Sequence, residues 1–266
     1  MAQEAHLLDN PLPRDIDFDE EKMRAIQQRL FAMQPPLPPS FTDPLFIAFS
    51  SRYLPALATA LRTLSLDTQR KAFSALVQIL SLLPVLRDPY FRRFFGSPQA
   101  AGLPTLLARA FVQGIDWLRP SGPGPLCDLF FHMLIWGDPA TGDDAQTCFD
   151  KRVRAGLAAK VASLEQSPSI ARLDATQQAQ IARLHKALST LEHLTAQGVS
   201  ARTWVEAQRG LQENDIPGLQ DCAACFDDDK ELFLCSKCKT VKYCSQECQL
   251  KDWKAGHKIR CYETTY

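Results

Sequence analysis

The chain has no net charge: 30 Lys and Arg residues balance 30 Asp and Glu residues over 266 positions, so nothing global draws it to phosphate backbones or anionic membranes. A long hydrophobic run is also missing. The most apolar stretch, Ala72 to Leu86, is interrupted by Gln78, Ser81 and Pro84 and falls short of a spanning helix. Met1 to Asn10 lacks the basic segment and apolar run of a secretory leader. The cytoplasm or nucleus is therefore the expected location, and there thiols stay reduced and clustered cysteines bind metal more often than they pair. Cysteine itself is scarce before residue 221, where only Cys127 and Cys148 occur, each beside Phe or Leu and each readable as a small buried apolar side chain. Alternating strand patterns are absent up to about Leu211.

What is present is a succession of helical segments, and the expected fold class is mainly α: an irregular helical bundle or solenoid-like domain followed by a small C-terminal module. An acidic start precedes a short helix over Phe18 to Met33, with Met23, Ile26, Leu30 and Met33 at helical spacing. Proline stops it. Pro35-Pro36-Leu37-Pro38-Pro39 cannot continue a helix and should run extended, so residues 1–40 are a helix plus a proline-rich segment. Residues 41–213 then form the helical domain. Asp67 is the expected cap of a helix over Thr68 to Leu83, Pro104 opens Thr105 to Leu118, and the loop Arg119 to Pro125 leads to Leu126 to Trp136. Cys148 to Glu165, Asp174 to Gln197 and a serine-capped helix from Ser200 to Gln212 follow. Ile181, Leu184, Leu188, Leu191 and Leu194 make one buried stripe, too short for a coiled-coil seam. Residues 214–221, with Pro217 and Gly218, read as a linker.

After that linker the other seven cysteines crowd together. Cys222-x2-Cys225, Cys235-x2-Cys238, Cys244-x3-Cys248 and His257-x3-Cys261 make eight donors in four pairs, the number needed for two tetrahedral zinc sites. A gap of two residues suits a tight turn, whereas a gap of three puts both donors on one face of a helix, here starting near Ser245 and running to about Trp253. With every position taken by protein, both ions are structural and neither activates water. Roughly 40 residues cannot build a self-sufficient core, so the module without metal should be unfolded. Spacing alone leaves open which pairs share an ion.

The same residues resemble the MYND zinc-finger family: two CxxC pairs, the run Tyr243-Cys244-Ser245-Gln246-Glu247-Cys248-Gln249, then Trp253, His257-Lys258 and Cys261. That resemblance spans residues 222–261 and implies interleaved sites, Cys222, Cys225, Cys244 and Cys248 on one ion and Cys235, Cys238, His257 and Cys261 on the other. It also implies a protein-interaction adaptor, with transcriptional regulation among the processes it would serve. In the family a proline-rich PxLxP-type peptide lies along a groove, and the matching positions here are Ser236, Gln249 and Trp253. Gly256 departs from the pattern as an extra residue between Trp253 and His257.

Other function classes fare worse on the same residues. Lysines in the finger suggest nucleic acid, yet residues 221–266 balance eight basic against eight acidic groups, and seven thiolates facing two divalent ions leave three net negative charges. A SET-type methyltransferase would place catalytic sequence on both sides of the finger, with an Asn-His signature that is not seen. His132, His185 and His193 lie in helical segments with no nucleophile pattern, so no catalytic residue is expected. The chain's own Pro35 to Pro39 spells PPLPP and offers a self-contact with the finger.

Overall fold

A computed structural model describes residues 39–81, 83, 88–114 and 122–266, together with the helical positions Glu21, Arg24, Ala25 and Gln28. The rest of the helix expected over Phe18 to Met33, and the segment Pro35 to Pro38, lie outside the described residues. Among the described residues the fold is mainly α, with one two-stranded antiparallel hairpin near the C-terminus.

The first helix, α1 (Pro39–Thr63), opens on a proline whose fixed backbone angle suits a first turn, and carries Pro44 and Pro55 within it. α2 (Arg70–Ser81) follows. Asp67 is not its cap: the chain between α1 and α2 closes on Gln69, whose side-chain oxygen accepts from the Ser65 N–H and whose carbonyl takes the Phe73 N–H. Gln69 is buried, and a buried local contact outcompetes an exposed capping carboxylate.

α3 (Pro89–Phe95) is short but strongly capped, since the Asp88 carboxylate accepts from the Tyr90 and Phe91 N–H groups and proline occupies N1. α4 (Leu103–Val112) starts one residue before Pro104 and stops well before Leu118. Gln113 and Gly114 donate back to Arg109 and Phe111, and Gly114 takes φ 101°, a left-handed turn that closes a helix. α5 (Gly124–Trp136) is apolar on nearly every side and runs through the middle of the core.

α6 (Lys151–Glu165) begins at the Asp150 cap, so Cys148 and Phe149 belong to the preceding turn and not to the helix. α7 (Ala175–Ala196) has Asp174 as its cap and buries Ile181, Leu184, Leu188 and Leu191 against α5 and α6. Ser200 stands at the N-cap of α8 (Ala201–Asn214) without capping it; its hydroxyl donates to Gln146 instead. One continuous core runs through these helices, with Phe73, Phe91, Phe94, Phe111, Phe130 and Phe149 fully buried. Cys127 and Cys148 are buried in it, and the Cys148 thiol donates to the Met133 carbonyl.

Residues 215–221 do not hang free. Gly218 accepts from the Lys242 N–H at 2.8 Å, and Ile216 packs on the helical core. Beyond lie the hairpin, β1 (Phe233–Leu234) and β2 (Lys242–Tyr243), with Phe233 opposite Tyr243, and then α9 (Gln246–Ala255). The finger thereby sits against the N-terminal part of the helical domain, where Ile47 and Tyr90 share its small core with Tyr243 and four of its cysteines.

Candidate metal centre and peptide-facing surface

Each CxxC pair is held by a tight turn in which the residue after the second cysteine takes a left-handed backbone, Phe226 at φ 61° and Lys239 at φ 53°. The turns close through the Phe226 N–H on the Cys222 carbonyl and the Lys239 N–H on the Cys235 carbonyl. Neither position carries glycine, and the constraint is met because four donors must converge on one point. Ser245 caps α9 by accepting from the Cys248 N–H, which fixes Cys248 one turn beyond Cys244.

Gly256, the departure noted in the sequence, ends that helix. Its N–H reaches the Asp252 carbonyl and its φ of 142° is a conformation that side chains rarely allow, so the chain turns sharply into the single 3₁₀ turn His257–Ile259. His257 is thereby brought back beneath α9.

The eight donors fall into two groups: Cys222, Cys225, Cys244 and Cys248 in the first, Cys235, Cys238, His257 and Cys261 in the second, with the donor atoms of each within 4.8 Å of one another. Sulfurs stand 3.5 Å apart in Cys225 and Cys244, 3.6 Å in Cys244 and Cys248 and 3.8 Å in Cys235 and Cys261. Zinc–sulfur bonds of about 2.3 Å at tetrahedral angles give an edge of about 3.8 Å, whereas a disulfide needs about 2.05 Å. The donor sets therefore fit zinc and not disulfides.

Electrostatics agree. Burial, and next the Cys238 and Cys235 sulfurs, push the Cys261 thiol up to about 12, so that thiol stays protonated unless a cation lies beside it. Zinc supplies that charge and, with all four positions taken by protein, supplies structure alone.

The two groups differ in surroundings. All four residues of the histidine-containing group are buried, while in the all-cysteine group Cys225 is exposed and Cys244 and Cys248 are half-buried. Secondary contacts also favour the buried group. Thr240 donates to the Cys238 sulfur at 3.1 Å, and the Gln249 amide lies 3.8 Å from the Cys235 sulfur. Asp252 accepts from the Tyr243 hydroxyl at 2.6 Å and stands 3.9 Å from His257 Nδ1, while Nε2 faces the Cys238 sulfur at 3.5 Å. A carboxylate behind the imidazole steadies the tautomer that leaves Nε2 free for metal.

Of the three peptide-groove positions, Ser236 is exposed, Gln249 is half-buried and Trp253 is 37% exposed, its ring edge-on to His257. The aromatic that fills the finger's core is Tyr243, at 2% exposure. His185 meets Glu165 and His132 lies near Asp128 within the helical domain, away from both donor groups.

Residues 222–261 match the MYND finger family model, so the C-terminal part of the chain is a MYND zinc finger, a non-catalytic module that generally mediates protein–protein interaction. Related proteins resemble the chain in that region. The yeast Saccharomyces cerevisiae MYND-type zinc finger protein MUB1 is 39% identical over 61 residues, covering 21% of this chain and 10% of the relative. Drosophila melanogaster Deformed epidermal autoregulatory factor 1 is 41% identical over 51 residues, 19% of this chain and 8% of its own. Ubiquitin carboxyl-terminal hydrolase 19 of Arabidopsis thaliana is 63% identical over 27 residues, 10% of this chain and 4% of the relative. The chain thus spans a tenth or less of the length of these curated relatives. No solved structure matches. Among the described residues no helix is long and apolar enough to cross a membrane.

Proposed function

We propose that this chain is a non-catalytic adaptor of the cytoplasm or nucleus, acting in processes such as transcriptional regulation, whose MYND finger docks a proline-rich, PxLxP-like segment of a partner protein. Trp253 carries the reading. An indole left over a third exposed on α9, with Gln249 one turn earlier and exposed Leu250 beside it, is a flat apolar platform suited to proline rings. Ser236 supplies a hydroxyl for the peptide backbone. The eight cysteine and histidine donors hold two zinc ions that keep this platform rigid, and rigidity lowers the entropy lost on binding.

The chain's own PPLPP segment belongs to the same reading, because Pro39 opens α1 and Ile47, farther along α1, is buried in the finger's core. A PxLxP-like motif carried on the same chain as the finger competes with an outside partner at a raised effective concentration. Titration of a fluorescent PxLxP peptide into zinc-loaded protein tests both parts. Trp253→Ala should weaken binding at least about tenfold with both zinc ions retained, and removal of residues 1–38 should strengthen it; unchanged binding after that removal ends the self-contact. Equal binding by Trp253→Ala ends the reading.

A further inference from the structure

Between the helical domain and the finger runs a cleft in two chambers that share Pro89, Arg92 and Thr240. The larger, about 550 Å³, has an apolar wall of Ile47, Ile216, Pro217 and Val241, and its rim carries the carboxylates of Asp215 and Asp252 beside Arg260 and Arg92. The smaller, about 250 Å³, is basic: besides Arg92 it is lined by Arg93, Arg209, Lys239 and Lys242, against the single carboxylate of Glu213. Ser236, Gln249 and Trp253 line neither chamber.

Two of the arginines are held in place by neutral groups. Arg93 donates to the Cys238 carbonyl at 2.7 Å, and Arg209 donates to the carbonyls of Ile135 and Gly137 at 2.8 and 2.9 Å. Carbonyl partners fix a guanidinium in space but leave its charge uncompensated. Arg92 lies over the Trp136 ring at 5.5 Å, a contact that orients the cation. Trp136 is 5% exposed, and its indole N–H has no hydrogen-bond partner among the described residues. Glu213, the one acid of the smaller chamber, also accepts from the Gln220 amide.

We propose that this cleft is a second docking site, which takes an acidic peptide segment of a partner protein with its apolar side chains in the larger chamber and its carboxylates in the smaller one. Charge complementarity selects the occupant, since Arg93, Arg209, Lys239 and Lys242 outnumber the lone carboxylate of Glu213 in a chamber already organised by fixed guanidinium groups. The small volume suits one or two side chains and not a nucleic-acid backbone. Because the cleft exists only where finger and helical domain meet, a partner bound there would read the two together.

The test uses full-length, zinc-loaded protein and a fluorescein-labelled peptide of two leucines followed by three glutamates, read by polarisation. Saturable binding is expected, falling steeply with salt and at least about tenfold weaker for the matching glutamine peptide. Lys239→Asn with Lys242→Gln should weaken it by a similar factor, and asparagine tolerates the left-handed backbone at 239. Trp253→Ala should leave it unchanged, which separates this site from the outer face of the finger. The salt series and the glutamine peptide need no variant, so a misfolded double substitution does not spoil the experiment. The proposal fails if wild-type protein shows no saturable binding, if the glutamine peptide binds equally, or if Trp253→Ala abolishes binding. Displacement by millimolar inorganic phosphate as readily as by unlabelled peptide overturns it too, since the chamber would then hold a bare anion.

Discussion

The hydroxyl of Tyr90, a fully buried residue of the helical domain, accepts a hydrogen bond from the Tyr262 N–H at 2.5 Å, just beyond the last donor of the finger. The same hydroxyl faces the carbonyls of Arg260 and Tyr262 at 2.9 and 3.0 Å, so it pins the chain on both sides of Cys261. The residues that follow extend the seam. Tyr266 donates to the Ser50 carbonyl and sets its ring edge-on against Phe94, and Gln99 donates to the Thr265 carbonyl.

Tyr90→Phe keeps the ring and removes the hydroxyl, leaving the Tyr262 N–H unpaired in a part-buried place. The loss should be roughly 1 to 3 kcal/mol in urea unfolding. Hydrogen exchange at Tyr262 should quicken in step. An unchanged rate there would show that the contact does not hold the finger down.

Zinc removal should act unequally on the two parts. Stringent chelation is expected to abolish the hairpin and α9, because so small a module has no adequate core without metal binding energies of about 10 to 16 kcal/mol per site. The helical domain should keep its far-ultraviolet signal with a lowered melting temperature, since it loses the Tyr90 and Arg93 contacts. The ion of the all-cysteine site should leave first, as Cys225 is exposed and the donors of the histidine-containing site are buried. Stopped-flow chelation with a zinc dye should show two phases, the faster one lost in Cys225→Ser. A single phase in wild type would contradict the difference in burial.

The finger is legible from spacing because its chemistry is local: donors separated by two or three residues must lie on knuckles or a helical turn, whatever packs around them. Helix types within 41–213 are legible for the same reason. Boundaries and caps are misread where a tertiary or short-range competitor wins. Asp67 loses to the buried Gln69 turn, Ser200 gives its hydroxyl to Gln146, and Gly114 cuts α4 short of Leu118. The seam is invisible in the sequence, since nothing near Tyr90 says that a carbonyl 170 residues later will meet its hydroxyl.

The nine cysteines should divide by reagent access. Burial pushes both Cys127 and Cys148 up to about 12, and both lie in the apolar core. A thiol that is neither ionised nor reachable does not alkylate. Chelated but undenatured protein treated with iodoacetamide should therefore gain seven adducts by mass spectrometry, and nine only after denaturation. Rapid modification of Cys127 or Cys148 in the chelated protein would mean that the helical core opens when zinc leaves, against the partial independence argued above.

Asp88 supplies the pH dependence of the seam. Its carboxylate caps α3 yet is fully buried, and burial raises its pKa from 3.8 to about 6 against the opposing Ser50 hydroxyl, the Phe91 and Tyr90 N–H groups and Arg92. Its second oxygen and the Ser50 hydroxyl lack the geometry of a made hydrogen bond. An acid with a raised folded pKa costs stability once ionised: the cost is absent below pH 3.8, grows as pH rises, and is complete above about pH 6. A rise of that size corresponds to about 3 kcal/mol. Asp88→Asn keeps an oxygen to cap Tyr90 and Phe91 without the charge, so it should be more stable than wild type at pH 7.5. That advantage should narrow by roughly 1 kcal/mol as pH falls to roughly 5.5, a range chosen to keep zinc bound. Paired urea titrations of wild type and variant across this window provide the measurement. A gap that stays constant, or a wild type that is the more stable at pH 7.5, would mean that Arg92 and the two N–H groups already compensate the buried charge.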